Sequence, residues 1–276
     1  MPTPPPQILM CPPDFYGVEY EINPWMSTER KPDHAAALAQ HTALADLLQS
    51  SGVEVKWMEP VPFLPDLVFT ANAAMIYRDA AILARFRHPQ RQGEEPHFQR
   101  WLSDAGFNVL DPPGRGSFEG AGDALFCGDT LYAGYRIRSD ATLHQKIGEL
   151  LDVRVIPLEL VDPYYYHLDT CFCPLAPGVA VYYPTAFDDY GRRALAAQID
   201  QLIEVTPDEA ARFACNAVVV GQRVITNTGC DRLHAELTSR GYEPHATPLD
   251  EFVKAGGSAK CLTLRLDGED AAAWKS

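Results

Sequence analysis

Two short stretches, far apart in the chain, carry side chains that could do covalent chemistry together. Near the end of the sequence, GGSAKCLTL places Cys261 after Gly256, Gly257, Ser258 and Ala259 and at the head of an apolar strand. Small residues let a backbone approach a ligand closely, and a thiol at the edge of such a loop can serve as a nucleophile. The same residue could equally be one more buried cysteine. Earlier, YYYHLDTCFC holds His167, Asp169, Cys171 and Cys173 within seven positions. In an extended segment His167 and Asp169 face the same side. The histidine then suits general acid–base catalysis and the aspartate suits holding a cation. A zinc site would recruit Cys171 and Cys173, but one intervening residue is not the two-residue gap of a zinc knuckle, and no second such pair exists. A disulfide between them would close a strained ring. Both read better as packing positions in the strand that follows.

Four further segments are unusually polar for their surroundings. In SFEGAGDALF, Glu119 and Asp123 bracket two glycines, in what could also be a solvated turn. In FLPDLVFTANAAM, Asp66 and Asn72 stand among apolar neighbours, where a turn cap and a backbone-bridging amide would be the structural alternatives. In YEINPWM, Asn23 precedes a proline, a pairing that often marks only a turn. Two arginine clusters, Arg85/Arg87/Arg91 and Arg136/Arg138, could grip a carboxylate through their paired donors or simply be solvated.

These segments gain meaning from the elements around them. AAMIYRDAAILARF from Ala73, DALFCGDTLYAGY from Asp123, CFCPLAPGVAVYYP from Cys171 and NAVVVGQRVITNTG from Asn216 share one plan: strand, short turn, strand. Their turns contain Arg78-Asp79, Gly128-Asp129, Pro177-Gly178 and Gly221-Gln222, mostly residue types that favour tight reversals. A near-constant spacing of about 50 residues signals a repeated architecture. Helical patterns lie between the hairpins, in PHFQRWLSDAG, SDATLHQKIGELL and YGRRALAAQIDQLIE, and an earlier one, DHAAALAQHTALADLLQS, carries Leu38, Leu44, Leu47 and Leu48 on one face. Short strands such as EVKWM and VRVIPL follow helices. The unit is therefore hairpin, helix, strand. QILMC from the beginning and CLTLRL from the end would supply a fifth unit and close a ring, which removes exposed sheet edges. An open α/β sheet would explain the alternation but not the spacing. The expectation is one α/β domain over residues 1–276, a closed ring of five units whose edges bring the polar segments to one central mouth.

Composition narrows the function. With a net charge of −14 and no run of Lys or Arg, the chain lacks the basic face of a nucleic-acid binder, and no glycine-rich phosphate loop is present. Acidity fits a cationic small molecule. No apolar run spans a bilayer and no signal-peptide pattern opens the sequence, which places the protein in the cytoplasm and away from membranes. Seven cysteines, an odd number spread over 276 residues, do not form a disulfide framework. Oligomeric state is left open, a homo-oligomer included.

Taken together, INPWM, FLPDLVFTANAAM, FEGAGDALF, YHLDTCFC and the long closing stretch from ITNTGCDRL to GGSAKCLTL resemble the guanidino-group-modifying enzymes of the pentein superfamily, over nearly the whole chain. The resemblance implies a five-bladed α/β propeller, as the repeat does independently. It implies Cys261 as nucleophile on the guanidinium carbon, His167 as the group that protonates the leaving amine and then activates water, and Glu119 as a binder of the guanidinium that assists proton transfer. Asp169 would hold the guanidinium nitrogens, Arg91 and Arg138 the substrate α-carboxylate, with Arg85 and Arg87 near enough in sequence to compete for the first assignment. Asn23, Asp66, Asn72 and Asp123 complete the binding set, and no metal or cofactor is implied. In deiminases and dimethylaminohydrolases the segment containing Asp66 carries a second acid six positions on, where this chain has Asn72. An amide both donates and accepts, so it could also hold a neutral ureido group. Asn72 with Asn23 resembles the arginine dihydrolase branch, which converts arginine to ornithine, carbon dioxide and two ammonia through a covalent thiouronium. The alternatives are a dimethylarginine dimethylaminohydrolase, a deiminase that stops at citrulline, or an amidinotransferase.

Overall fold

Each of the four expected hairpins forms in the computed structural model, which describes residues 5–268. The chain begins β1 (Gln7–Met10), α1 (His34–Ser50) and β2 (Glu54–Trp57). Next come β3 (Ala74–Tyr77), β4 (Ala80–Leu83), α2 (Glu95–Asp104) and β5 (Asn108–Leu110), then β6 (Ala124–Cys127), β7 (Thr130–Tyr135), α3 (Ala141–Leu151) and β8 (Arg154–Glu159). β9 (Phe172–Ala176), β10 (Val179–Tyr182), α4 (Asp189–Gln198) and β11 (Gln201–Glu204) follow, then β12 (Val218–Val220), β13 (Arg223–Asn227), α5 (Asp231–Ser239), β14 (Glu243–Thr247) and finally β15 (Leu264–Arg265). The strands form five three-stranded sheets. In each, an antiparallel pair is joined by a third strand running parallel to its second member. This is the five-bladed propeller. Its fifth blade is assembled as expected from both ends of the described chain: β1 pairs antiparallel with β15 (Ile8 opposite Arg265, Leu9 opposite Leu264) and parallel with β2. The expected domain of 1–276 extends at 1–4 and 269–276 outside the described residues.

The local chemistry explains the blades. Tight reversals need a residue with positive φ, and Gly128, Gly178 and Gly221 supply it at 64°, 76° and 59°. Arg78 takes the same role at 58° without being glycine, with its guanidinium over the Tyr77 ring. β3, β4 and β6 are buried along their whole length, because helices cover one side and neighbouring blades the other. Such strands read as continuous apolar runs instead of alternating ones. Cys171 and Cys173 are core residues packed with Phe172, Leu175 and Cys215, and all seven cysteines are buried thiols. Among the described residues no helix is long and apolar enough to cross a membrane.

Two helical expectations change. The buried face of α1 is Ala37, His41, Leu44, Ala45 and Leu48, while Leu38 is exposed. At 3.6 residues per turn, Leu38 lies about 80° round the helix from Leu48 and about 120° from Leu44, off the face those two share. YGRRALAAQIDQLIE is not one helix: α4 ends at Gln198, and Gln201–Glu204 becomes β11, paired with β10. Completing the third strand of the blade outweighs helix propensity there.

Candidate active site

Ahead of each hairpin the chain makes a turn, and these turns carry the polar residues singled out by the sequence. Glu119 and His167 each stand five residues before the first strand of their hairpins, Asp169 and Cys261 three before, and Asn72 and Asn216 two before. Repetition of the blade therefore places chemically different side chains at equivalent points around the ring. The turns at Thr70–Asn72, Gly120–Gly122 and Leu168–Thr170 are single turns of 3₁₀ helix. His167 and Asp169 are thus not two positions of one extended segment. The 3₁₀ turn separates them, His167 going to Glu119 and Asp169 to Cys261.

Glu119 is the hub of one cluster. Its Oε2 lies 2.7 Å from His167 Nε2 and accepts from Arg138 Nη1 at 3.0 Å, while Oε1 accepts the Arg87 backbone N–H. Burial alone would raise its pKa, but Arg138, His167 and Arg91 outweigh that and hold the carboxyl below its usual range. Glu119 is therefore ionised and accepts only, so His167 Nε2 carries the hydrogen and Nδ1 keeps a lone pair. Burial, opposed by Glu119, brings His167 down to about 4, so its ring is neutral near pH 7. A methyl group on Gly122 would overlap Asn72 Nδ2 and meet His167 Nδ1 at 3.4 Å. The glycine keeps the space in front of that nitrogen open.

Cys261 is the hub of the second cluster. Its Sγ lies 3.4 Å from Asp169 Oδ2 and 3.1 Å from Asn216 Nδ2. Burial pushes the thiol well above its ordinary pKa and the Asp169 charge adds to this, with the hydrogen bonds from the Ser258 backbone and Asn216 pulling the other way. In the unliganded site the sulphur is a neutral thiol. A third cluster surrounds Arg91, whose guanidinium makes a two-pronged bond to Glu94 at 2.8 and 2.7 Å, donates to Asn72 Oδ1 at 2.7 Å and lies 3.9 Å from Asp66 Oδ2.

One cavity, with about 250 Å³ of empty space counting open solvent, is lined by Arg138 of the first cluster, Cys261 of the second and Arg91, Asn72 and Asp66 of the third, together with Ile22, Asn23, Met26, Phe69, Tyr166 and Ala255, whereas Glu119, His167 and Asp169 are not in its lining. Three buried atoms of the lining have no protein partner: Asp66 Oδ1, Asn72 Nδ2 and Arg138 Nε. Buried polar atoms are rarely left unmet, and an unmet acceptor and two unmet donors on residues that line one cavity suit a ligand bearing both charges. The segment bearing Asn23 closes the cavity, with Asn23 Nδ2 donating to Ala255 O and Arg138 Nη2 to Ile22 O. Among the described residues no three His, Cys, Asp or Glu side chains are grouped to hold a metal ion.

Not every residue expected at the site lies on the cavity. Asp123 stands behind it, accepting from Ser139 Oγ at 2.7 Å and from the Leu168 N–H at 3.1 Å, which ties the His167 turn to the Arg138 segment. Of the five arginines, Arg91 and Arg138 line the cavity. Arg85 donates to the carbonyls of Pro112, Gly114 and Gly116, Arg87 is exposed, and Arg136 pairs with Glu159 at the surface. Phe69, Tyr166, Glu94 and Asn216 also belong to the site, though they are not among the residues the sequence singles out. Tyr166 stacks on the Arg138 guanidinium at 4.5 Å and donates to Gly256 O. Glu94, one helical turn after Arg91, was open to discovery as a charge pair.

A family model described as N,N dimethylarginine dimethylhydrolase, eukaryotic, matches residues 21–266. The chain is 45% identical over 265 residues to the bifunctional arginine dihydrolase/ornithine cyclodeaminase of Nostoc sp., covering 94% of this chain but 38% of that protein. It is 39% identical over 257 residues to the N(G),N(G)-dimethylarginine dimethylaminohydrolase of Mycobacterium tuberculosis, covering 93% of this chain and 84% of that one. Its fold superposes, with TM-score 0.92 and 44% identity, on the substrate-bound N-terminal domain of ArgZ, an arginine dihydrolase from the ornithine–ammonia cycle in cyanobacteria. That match covers 96% of this chain and 99% of the domain. The same domain is also known covalently bound to a reaction intermediate (TM-score 0.93, 43% identity, 98% of this chain and 100% of that one).

Proposed function

Because this chain belongs to the dimethylarginine dimethylaminohydrolase family, we infer that it is a cysteine-dependent hydrolase of the guanidino group of L-arginine, taking arginine and two waters to ornithine, carbon dioxide and two ammonia. The observation that carries the reading is that Cys261 lines one cavity with Arg91, Arg138, Asp66 and Asn72, with an unmet acceptor and two unmet donors among them. The likeness to the cyanobacterial dihydrolases supports the choice of substrate and of two hydrolytic rounds, although the chain spans under two-fifths of those proteins' length.

Each residue has work suited to its surroundings. Arg138 and Arg91 attract the α-carboxylate, and Asp66 and Asp169 fix the guanidinium. A cation beside Cys261 offsets the burial and the Asp169 charge that hold the thiol neutral, so the substrate itself favours the thiolate. The thiol proton passes to His167, whose Nδ1 lone pair receives it, and Glu119 stabilises the imidazolium. Sulphur adds to the guanidinium carbon, and His167 returns the proton to the departing ammonia, leaving a covalent thiouronium. Water activated by His167 then releases citrulline and restores the thiol. Dividing one displacement into two steps is the gain from covalent catalysis. Asn72 Nδ2 is a donor, so it can hold the ureido oxygen while the second round proceeds. The reaction is placed in the cytoplasm, where seven thiols stay reduced.

Incubation with L-arginine, following ornithine, citrulline and ammonia with time, tests the reading. Two ammonia per ornithine is the expected ratio. Citrulline that accumulates without ornithine would confine the enzyme to one round. The 39% identity to the mycobacterial dimethylaminohydrolase favours N,N-dimethylarginine as a second substrate, and dimethylamine release decides that.

A further inference from the structure

Asn216 opens the fourth repeat and contributes nothing to the lining of the cavity, yet it is fully buried against the sulphur. Its side chain makes three contacts with the reacting end of the fold. Oδ1 accepts the Cys261 backbone N–H at 3.1 Å, and Nδ2 donates to the Asp169 carbonyl at 3.0 Å and to Cys261 Sγ at 3.1 Å. Its own backbone carbonyl accepts the N–H of Lys260. The amide has one workable orientation. Turned over, Oδ1 would face the Asp169 carbonyl and Nδ2 the Cys261 N–H, setting acceptor on acceptor and donor on donor. The nitrogen must therefore face the sulphur. The same sulphur lies 3.4 Å from Asp169 Oδ2, which accepts a proton but repels a thiolate. The nucleophile is held between a group that favours its protonated form and one that favours its charged form.

We propose that Asn216 is a positioning residue for Cys261, fixing the turn that bears it and donating a hydrogen bond to the thiolate that attacks the substrate. A neutral amide is the side chain the site needs. A carboxylate there would keep the acceptor for the Cys261 N–H but place a second negative charge on the sulphur, and a hydrocarbon would leave the N–H and the thiolate without partners. The proposal rests on the reading of Cys261 as nucleophile and not on the identity of the substrate.

Asn216→Asp and Asn216→Ser test it, the first keeping the shape and the second adding no bulk. The pH dependence of iodoacetamide alkylation at Cys261, resolved from the other cysteines by peptide mass, is measured beside kcat and KM for arginine. A hydrogen bond to a charged group is strong enough that its loss should lower kcat by about 10- to 100-fold and move the alkylation midpoint up by about one to two pH units. KM should stay within about threefold, since no cavity contact is lost. A folded variant with the parent's alkylation midpoint overturns the proposal, as does one whose loss is confined to KM. Alkylation needs no substrate, so an enzyme inactive on arginine would defeat the functional reading while leaving the Asn216 result standing.

Discussion

Arg91 Nη1 donates to Asn72 Oδ1 at 2.7 Å, and this leaves the amide nitrogen, not the oxygen, turned toward Gly122 and His167. Glu94 holds Arg91 in place through two bonds, so the orientation of Asn72 is set by an ion pair reaching behind it. The chain presents a donor at a point where an acid would present only acceptors.

Replacing Asn72 by Asp keeps an acceptor for Arg91 and removes the donor. The first hydrolysis should survive better than the second, so citrulline should accumulate ahead of ornithine in a product time course. Ornithine formed in the parent's ratio would remove Asn72 from the second round.

Gly122→Ala adds a methyl that overlaps Asn72 Nδ2 and touches His167. Small displacements of reacting groups are expensive in rate, and kcat should fall by about 100-fold. Gly122 does not have a positive φ, so circular dichroism should report an intact fold. A variant of parental activity would mean that the space in front of Nδ1 is not used.

Cys261→Ser should abolish turnover and leave the melting temperature nearly unchanged, since one small buried group replaces another. Retained ammonia release in the purified variant would exclude the thiol as nucleophile.

Arg138→Met removes the charged partner of a buried carboxylate and leaves it only His167 and the Arg87 N–H, for Arg138 and Glu119 are both nearly inaccessible to water. Stranding such a charge costs about 3–5 kcal/mol, readable as a lower midpoint in urea. The double variant with Glu119→Gln should recover much of that loss, and failure to recover would assign the cost to lost packing on Tyr166 instead.

His41, buried between Trp57 and Phe252, is brought down from 6.5 to about 4 by burial. Between those values the unfolded chain binds a proton that the folded chain refuses, so stability falls as pH drops through the interval. Comparing the parent with His41→Leu isolates this group. The variant should gain on the parent by up to about 3 kcal/mol as pH falls below 4, and parallel stability curves would show that His41 titrates normally in the fold.

What the sequence disclosed follows from which interactions are local. Hairpin turns, apolar strands and their spacing are local, so the ring could be inferred, including the pairing of QILMC with CLTLRL. Cys261, His167, Glu119, Asp66 and Asn72 stood out because a polar residue is conspicuous among apolar ones. Asn216 did not, although it begins a repeat, because its meaning lies in a contact with Cys261 formed only across two blades. The division of YGRRALAAQIDQLIE is of the same kind: nothing within that stretch announces the partner strand that claims its end. Asp123 was conspicuous as a carboxyl at the head of an apolar strand, yet its partners are a hydroxyl and a backbone N–H away from the cavity lining.

The blade that carries Cys261 contains the seam of the ring. Leu9 pairs with Leu264, three residues beyond Cys261, across almost the whole length of the described chain. Contacts of such separation form late, since the intervening chain must be ordered or looped first. During synthesis, then, the other residues of the site are made before Cys261 is, and the blade that carries it is completed only when β15 pairs with β1.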